Sequence, residues 1–473
     1  MNQINNYRMK KITYLGAIVI MLLFTTVSFS QNKSVFGRPV ESINPSNGLI
    51  RCVSNEYEAS LQEKYSERAN SEAFERWIAP KVEEIKNQMT QGRGIDVVVT
   101  IPVVVHVIHN GDAVGSGENI SNARVISQIT VLNQDFRRML GTNGYNTNAV
   151  GADVEVQFCL AQRKPDGTAT NGINRVNLGQ ASWATEASVE GTLKPQTQWD
   201  PTKYFNIWVC AFSTSQSAEL GGILGYAQFP SNSGLSGLNT NGGAANTDGV
   251  IIDYRCFGSK TIANTGTYFT DYDLGRTATH EIGHCFGLRH IWGDAGSQDT
   301  GVDCSGTDYC ADTPTAGWEN YDCLQTYNSC PSAAGNDMTQ NYMDYTNDSC
   351  MNIFTLNQKA RILAVIANSP RRSTLITSNG CVAPSLAVSE FDVYNDVVLF
   401  PNPASSFVTL QISENAPMPE ILTVYNSIGQ LVKQVNVSSN SDLNLDVTSF
   451  SKGVYFVKIA TEKASKTIQF IKE

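Results

Sequence analysis

The stretch THEIGHCFGLRH, Thr279–His290, contains three of the five histidines in this 473-residue chain. His280 and His284 are four residues apart, so on an α-helix their side chains lie on the same face. Gly287 can adopt a positive φ and end that helix. His290 is then placed to return as a third ligand. Three imidazoles in this arrangement predict a tetrahedral zinc site whose fourth position is left for water, which is typical of a catalytic site.

Two simpler explanations of this cluster are weak. The five fixed positions of HExxHxxGxxH would arise by chance on the order of once in 100,000 such chains. Burying three unpaired imidazoles merely as core would be costly. Glu281 follows the first histidine and is placed to reach a metal-bound water without being a ligand itself.

A second motif supports the zinc site. The segment QNYMDYTNDSCMN contains Met343 and, two residues later, Tyr345. A methionine turn after a histidine motif of this length forms an apolar floor under the metal. We therefore predict Met343 beneath the histidines, and Tyr345 within reach of the metal or the oxyanion.

Together these residues resemble the metzincin clan of zinc peptidases, and finer features resemble its pappalysin family. The features are GRTATHEIGHCFGLRHIWGD, DYCADTP and NYMDY followed by SCMNIFTLNQ, within roughly residues 98–367. The resemblance implies an α/β catalytic domain, with a twisted sheet, an active-site helix and an irregular lower subdomain stapled by disulfides. It also implies hydrolysis of protein or peptide substrates, with His280, His284 and His290 as zinc ligands and Glu281 as general base. Tyr345 would help zinc to stabilise the oxyanion.

The eleven cysteines fit an exported protein. The resemblance implies the pairs Cys304–Cys330 and Cys323–Cys350. Cys285 and Cys310 depart from the family pattern, which suggests an additional bridge between them. Cys159, Cys210 and Cys256 are left open as free or paired.

Acidic residues crowd the segment GDAGSQDTGVDCSGTDYCADTP. Oxygen-rich loops suit calcium, and the resemblance makes Asp308 and Thr313 the best candidates for ligands. A solvated acidic loop is the alternative. Asp322 is a candidate for the specificity pocket, where it would favour a basic residue just after the cleaved bond.

The beginning of the chain predicts export. Arg8, Lys10 and Lys11 precede an apolar run, and the small residues Ser28 and Ser30 suit cleavage near Gln31. We interpret residues 1–30 as a signal peptide; a transmembrane anchor is the alternative. We expect a secreted protein without a stable membrane span. The formal net charge of −10 gives no basic surface for nucleic acid.

Residues 31–95 are interpreted as a prosegment that keeps a zymogen latent; an N-terminal helical extension is the alternative. Trp77, Ile78, Val82 and Ile85 recur at helical spacing, and QGRG then ends the pattern, with Arg93 as a possible cleavage site. Cys52 is predicted to supply a thiolate to the fourth zinc position and so exclude water; an incidental cysteine is the alternative.

The catalytic domain is placed at residues 96–380. Its first strand contains His106 and ends at His109, both predicted to be structural. A helix follows with Ile126, Ile129, Leu132 and Phe136 on one face.

Residues 390–473 contain roughly seven short β-rich runs separated by turn residues, which predict a small all-β, Ig-like sandwich. VVLFPNPASSFVTLQI, VYNSIGQLV and GVYFVKI resemble the sorting domain of type IX secretion substrates, which implies the secretion machinery as a partner. A retained binding module is the alternative for this domain. For the whole chain, the competing hypothesis is an inactive metzincin-like adhesin, against which the intact Glu281 argues.

Overall fold

The computed structural model of the chain describes residues 33–40, 42–66, 68–92, 98–232, 245–384, 397–412, 416, 418–461 and 465–473. The predicted signal peptide and Arg93 lie outside the described residues. The chain divides into two compact units, Met1–Ala383 and Pro384–Glu473. In the described part of the chain, no helix combines the length and the apolar character needed to cross a membrane.

The first unit begins with a small hairpin and two helices, continues through a sheet, and ends with a helix. Its helices are α1 (Ser54–Lys64), α2 (Ser71–Thr90), α3 (Asn122–Phe136), α4 (Arg276–Cys285) and α5 (Leu356–Asn368). Its strands are β1 (Ser34–Val35), β2 (Arg38–Pro39), β3 (Val99–His109), β4 (Val156–Leu160), β5 (Ile173–Asn177), β6 (Phe205–Cys210), β7 (Gly225–Ala227) and β8 (Val250–Asp253). Short helical turns comprise Glu186–Ser188, Val189–Leu193 and Lys194–Thr197.

The sheet has the strand order β4-β3-β6-β8-β7, and β5 pairs with the second half of β3. Every pairing is parallel except that of β7, which runs antiparallel to β8 with Tyr226 opposite Ile251. The central strands are almost entirely buried and rich in β-branched residues, as strands covered on both faces require. In this strand order, among the described residues, β7 lies at one edge of the sheet and β4 at the other.

His106 is a structural residue, as the sequence predicts. Its ring is fully buried and stacks on Trp208, and its nitrogens hydrogen-bond to Asn206 and Asn174. Burial lowers the pKa of His106 to about 4, so the ring is neutral at physiological pH.

Helix α3 corrects one detail of the sequence analysis. Its buried apolar face is Val125, Ile129, Leu132 and Phe136, whereas Ile126 is 53% exposed. Each helical residue turns by about 100°, so the centre of this stripe coincides with Val125 and leaves Ile126 on its flank. The sequence spacing alone does not distinguish a stripe that begins at Val125 from one that begins at Ile126.

The cysteines form three disulfides, Cys159–Cys381, Cys304–Cys330 and Cys323–Cys350. The predicted bridge between Cys285 and Cys310 is wrong, because both thiols are free and buried. Cys285 lies inside α4, and its Sγ faces the carbonyl oxygens of Gln228 and Gly249. Cys210 and Cys256 are also free and buried.

The segment predicted to be a prosegment packs closely on this unit. Helix α2 buries Phe74, Ile78, Val82 and Ile85, while Trp77 is only half-buried. The carboxylate of Glu75 bonds to Arg361 on α5 and to Arg289 beyond α4. Upstream, Ile50 forms a parallel bridge with Ile223, just before the edge strand.

The second unit is all-β. Its strands are β9 (Val398–Phe400), β10 (Phe407–Gln411), β11 (Ile421–Asn426), β12 (Leu431–Asn436), β13 (Asn444–Asp446), β14 (Gly453–Ala460) and β15 (Ser465–Lys472). They form a three-stranded sheet, β13-β10-β9, and a four-stranded sheet, β12-β11-β14-β15. Both sheets contribute to one apolar core that includes Val408, Leu422 and Val457.

Candidate metal centre

Helix α4, which carries the first two histidines, is fixed at its start by two carboxylates. Asp348 accepts hydrogen bonds from the backbone amides of Leu274 and Arg276, at 3.0 and 3.1 Å. Asp135 on α3 accepts from the side chains of Arg276 and Thr279. Negative groups at a helix N-terminus satisfy its unpaired amides and favour its dipole, so the helix is anchored one turn before the site.

Gly287 makes the turn that brings in the third histidine. Its φ is +86°, and the amide of Leu288 bonds back to the carbonyl of Gly283, which ends the helix. A side chain at position 287 would be strained in this left-handed conformation, and its Cβ would lie 2.7 Å from Cγ2 of Val365. The glycine predicted to break the helix is thus required by both the backbone and the packing.

The three histidines meet at one buried point. The Nε2 atoms of His280 and His284 are 3.1 Å apart, those of His284 and His290 are 3.0 Å apart, and those of His290 and His280 are 3.3 Å apart. Each side chain is at most 1% exposed. Three nitrogens bound tetrahedrally to one zinc ion at 2.0–2.1 Å would be about 3.3–3.4 Å apart, which is close to this spacing.

The hydrogen bonds of the Nδ1 atoms determine which kind of ion the three Nε2 atoms can bind. Nδ1 of His280 donates to the carbonyl oxygen of Tyr342, Nδ1 of His284 to that of Leu288, and Nδ1 of His290 to Asp294 Oδ1. Since burial lowers the pKa of His284 to about 3 and that of His280 well below its usual value, these rings are neutral. Their Nε2 lone pairs then face one another without a proton between them. A cation is needed there, and a set of three imidazoles suits zinc.

Met343 packs against helix α4. It is fully buried, and a Cβ at Gly283 would lie 2.5 Å from its Sδ, so the thioether packs directly on the helix backbone. Its carbonyl oxygen also accepts a hydrogen bond from the amide of Ile291, next to the third histidine.

Glu281 and Tyr345 border the site. One oxygen of Glu281 accepts from the hydroxyl of Ser54 at 2.8 Å and from Cys52 Sγ at 3.4 Å. Burial raises the pKa of Glu281 to about 8, against the effect of these two hydrogen bonds. The ring of Tyr345 lies 4.8 Å from that of His290, and its hydroxyl donates to the carbonyl oxygen of Cys52 at 3.4 Å.

Cys52 lies at the same point as the histidines. Its Sγ and one nitrogen from each of His280, His284 and His290 all lie within 4.8 Å of one another, and all four residues are buried. Beside it, Arg51 forms a fully buried ion pair with Asp348 at 3.0 Å. The carboxylate that holds the start of α4 therefore also holds the residue next to Cys52.

The remaining predicted residues lie in loops. Asp308 is buried; its Oδ1 accepts from the amide of Cys310 and its Oδ2 from the hydroxyl of Thr313. The side chain of Asp322 is exposed and accepts from the amide of Leu324 and the hydroxyl of Tyr327. These contacts do not connect Asp322 to the histidines.

Sequence reasoning missed several residues that position the site. Asp348, Asp294 and Ser54 contact α4, a histidine ligand and Glu281 respectively. Trp292 stacks on His290 with ring centroids 4.5 Å apart. Asp294 and Trp292 follow the motif so closely that they could have been examined as its support. Nothing in the sequence marks Ser54 or Asp348.

Comparisons with known proteins show the family of this chain. The model of the family described as Pregnancy-associated plasma protein-A matches residues 192–367, and that of the secretion system C-terminal sorting domain matches residues 398–473. An extracellular metalloprotease of Colletotrichum graminicola is 32% identical over 265 residues, which cover 56% of this chain and 75% of the relative. The chain belongs to the pappalysin family.

Two further proteins are similar to this pappalysin. An extracellular metalloprotease of Verticillium alfalfae is 32% identical over 266 residues, covering 56% of this chain and 74% of that one. A solved structure of mature mirolysin from Tannerella forsythia, in complex with a cleaved peptide, is 38% identical, covers 59% of this chain and 96% of that chain, and has a TM-score of 0.49. From the family, the relatives, the histidine cluster and the sorting domain, this pappalysin is a secreted zinc metalloendopeptidase.

We predict that Gly287→Ala lowers both zinc binding and stability. The added Cβ costs about 1–2 kcal/mol for the left-handed backbone and also displaces Val365, which shifts the turn that carries His290. Zinc stoichiometry and thermal unfolding measure the two effects. Gly141→Ala is the matched control, because its φ is +79° and its Cβ would meet no atom within 4 Å. Equal zinc content and equal loss of stability in the two variants would contradict this account of Gly287.

Proposed function

We propose that this pappalysin hydrolyses peptide bonds with Glu281 as general base and is made as a latent zymogen. The observation that supports it most directly is the meeting of three imidazole Nε2 atoms beside the Glu281 carboxylate. His280, His284 and His290 would hold the zinc. When bound there, zinc supplies Lewis-acid chemistry, lowering the pKa of a water molecule and polarising the scissile carbonyl.

The chain's own residues would then move one proton and position the substrate. Glu281 takes the proton of the attacking water and later delivers it to the leaving amine. Tyr345 donates a hydrogen bond to the substrate's carbonyl oxygen as negative charge develops. The hydrogen bond from its hydroxyl to the Cys52 carbonyl supports this role, since it puts the hydroxyl within reach of a main-chain carbonyl at the site.

An inactive binding protein or adhesin is the competing proposal. Such a protein would not need a carboxylate buried next to the zinc position, where ionisation is disfavoured by desolvation. The retention of Glu281 in that position favours the enzyme.

Glu281→Gln is expected to lower kcat/KM by about 10²–10⁴-fold, the usual contribution of a general base. Zinc content should remain at one per chain, because Glu281 is not a ligand. Cleavage of a denatured protein mixture by the processed enzyme, mapped by mass spectrometry, measures the effect. Cleavages that persist at wild-type rates in zinc-loaded Glu281→Gln would refute its role. Absence of cleavage by the zinc-loaded wild type would instead favour the binding protein.

Latency is proposed to come from Cys52. Its thiolate is a strong zinc ligand, and its position among the three histidines lets it take the place of the attacking water. Ser54 in turn donates to Glu281, so the same short segment occupies the general base. In the absence of metal, burial raises the pKa of the Cys52 thiol, with the Glu281 carboxylate adding to the effect; ligation would favour the thiolate.

Buried charge pairs would hold the prosegment in this position. Arg51 pairs with Asp348, and Glu75 pairs with Arg361 and Arg289. Removing one member of a buried pair typically costs about 3–5 kcal/mol. Separation of residues 31–95 from the catalytic domain at 96–380 would therefore require cleavage followed by dissociation.

Cys52→Ala in the full-length protein is expected to cleave peptides before any processing, because water can then enter the fourth zinc position. Initial rates with a fluorogenic peptide, and gels that follow the intact chain, measure this effect. Cys310→Ala, which removes another buried free thiol, is the control and should stay latent. The proposal is wrong if the unprocessed Cys52→Ala protein is as inactive as wild type.

We also propose calcium as a second metal, with Asp308 and Thr313 among its ligands. Their side-chain oxygens are 2.8 Å apart, and carboxylate and hydroxyl oxygens suit this hard cation. A role of Asp322 in recognising a basic side chain stays a prediction from the resemblance, and cleavage of a signal peptide near Gln31 stays a prediction from the sequence. Residues 390–473 would direct the chain to the secretion machinery and would then be removed.

Calcium is expected to raise the Tm of the wild-type protein and to leave that of Asp308→Asn nearly unchanged. A ligand present at 100 times its Kd stabilises the folded state by about 2.7 kcal/mol, which is several degrees. The measurement is thermal unfolding with calcium and with a calcium-specific chelator. Asp299→Asn, at an exposed acid in the same segment, should retain the shift. No calcium-dependent shift in the wild type would exclude the site.

A further inference from the structure

The outer face of the sheet carries a second apolar core to which two parts of the chain contribute. Residues before position 62, including Phe36 and Tyr57, pack there on later residues that include Trp208, Phe212 and Tyr226. Tyr57 itself is only 2% exposed. If residues 31–95 leave the enzyme, as proposed above, the later residues lose this cover.

Tyr57 occupies a defined polar and aromatic pocket. Its hydroxyl donates to Glu190 Oε2 at 2.6 Å, and its ring lies 5.2 Å from that of Tyr226 in an edge-to-face arrangement. The ammonium group of Lys194 lies 5.1 Å from the centre of the same ring. We call the site formed by Glu190, Lys194, Tyr226, Gln228 and Thr247 the Tyr57 pocket.

The base of the Tyr57 pocket is held without help from the prosegment. Lys194 pairs with Glu190 at 2.6 Å, and the hydroxyl of Tyr226 donates to Glu190 Oε1 at 2.7 Å. The Lys194 ammonium also lies over the rings of Tyr226 and Trp208. Glu190 therefore stays in place when Tyr57 departs, and its Oε2 loses one short hydrogen bond from a phenol. A preorganised acceptor of this kind favours a ligand that restores the bond.

The pocket adjoins the cleft because it shares the edge strand β7 with it. Gly225 faces Glu281: a Cβ there would lie 3.3 Å from Glu281 Cγ. Its neighbour Tyr226 points to the opposite face of the sheet, since side chains alternate along a strand. The edge of β7 beside them is covered by residues of the proposed prosegment, where Ser54 Oγ accepts from the amide of Ala227.

An extended peptide can take the place of these prosegment residues by adding to the edge of β7. Main-chain hydrogen bonds give such a peptide its affinity, and pockets for alternate side chains give specificity. A side chain directed to the outer face would enter the Tyr57 pocket only a few residues from the scissile bond.

We infer that the Tyr57 pocket becomes a substrate subsite in the processed enzyme, one that binds an aromatic side chain and prefers tyrosine to phenylalanine. This inference rests on the proposed zymogen, since Tyr57 must leave first. The ring of Tyr226 and the ammonium group of Lys194 would contact the aromatic ring of the substrate side chain, and Glu190 would accept a hydrogen bond from its hydroxyl.

The first test varies the substrate and leaves the enzyme unchanged. Peptides with one cleavage site carry Tyr, Phe or Ala at each of four positions on either side of it, and kcat/KM is measured with enzyme processed from the full-length chain. We expect one position at which Tyr exceeds Phe about tenfold, the effect of a hydrogen bond to a charged group, and at which Phe exceeds Ala. Glu281-dependent cleavage with no such position would overturn the subsite and leave the endopeptidase intact.

A variant then links the preference to Glu190. Glu190→Gln is expected to reduce the ratio of Tyr to Phe to near one, whereas Glu186→Gln, an acid in the same helical segment, should keep it. Because Lys194 would lose its charged partner, the folding of Glu190→Gln is checked by thermal unfolding. An unchanged ratio in folded Glu190→Gln would exclude Glu190 as the recognising group.

A binding measurement gives an answer independent of turnover. The peptide of residues 50–61, carrying Cys52→Ser, is titrated calorimetrically into processed, zinc-loaded Glu281→Ala enzyme. Replacing its tyrosine, Tyr57→Phe, should weaken binding about tenfold. Equal affinity of the two peptides would overturn the inference whether or not the enzyme cleaves its substrates, so its failure remains distinct from failure of the proposed catalysis.

Discussion

The meeting of three imidazole lone pairs at one buried point is the constraint on which the site depends. The Nε2 atoms of the three histidines are 3.0–3.3 Å apart, and lone pairs this close repel one another unless a cation lies between them. Their orientation is imposed from outside, by two backbone carbonyls and one carboxylate that accept from the Nδ1 atoms. These partners come from the methionine turn, the turn after α4, and the loop that follows His290.

Asp348 connects the start of α4 to the segment that contains Cys52. One of its oxygens accepts from two amides at the start of α4, and the other pairs with Arg51. Loss of Arg51 would remove the ion pair but leave both amide bonds, so the hydrogen bonds that Asp348 accepts at the start of α4 come from residues outside 31–95. The same holds for the Nδ1 acceptors, all of which belong to residues after 280. Activation would therefore uncover a finished site rather than build one.

The parts of this molecule that sequence predicts are those set by local spacing. The helical pair His280 and His284, the turn at Gly287 and the amphipathic helix around Ile78 each follow from residues within two turns. Predictions failed where distant packing decides. Ile126 has the spacing of a buried residue but lies on the flank of the stripe, and Cys285 inside α4 has no cysteine partner because its thiol faces Gln228 and Gly249. The bridge from Cys159 to Cys381 spans 222 residues, a separation over which spacing carries no signal.

The edge strand β7 shows how one short element can serve two sites. It has three residues, and the alternation of a strand sends Gly225 towards Glu281 and Tyr226 towards Glu190. A side chain at position 225 would crowd Glu281, while the absence of one at position 226 would open the pocket beneath Tyr57. An extended peptide bound at this edge would therefore contact the protein in three ways. Its main chain would pair with β7, its side chains on one face would point to the metal centre, and those on the other face would point to Glu190 and Lys194. Residues 52–57 contact both faces, through Cys52 and Ser54 on one and Tyr57 on the other. A substrate that replaced this segment would meet the same two sets of groups, so the residues proposed to keep the enzyme latent would also outline what the open cleft accepts.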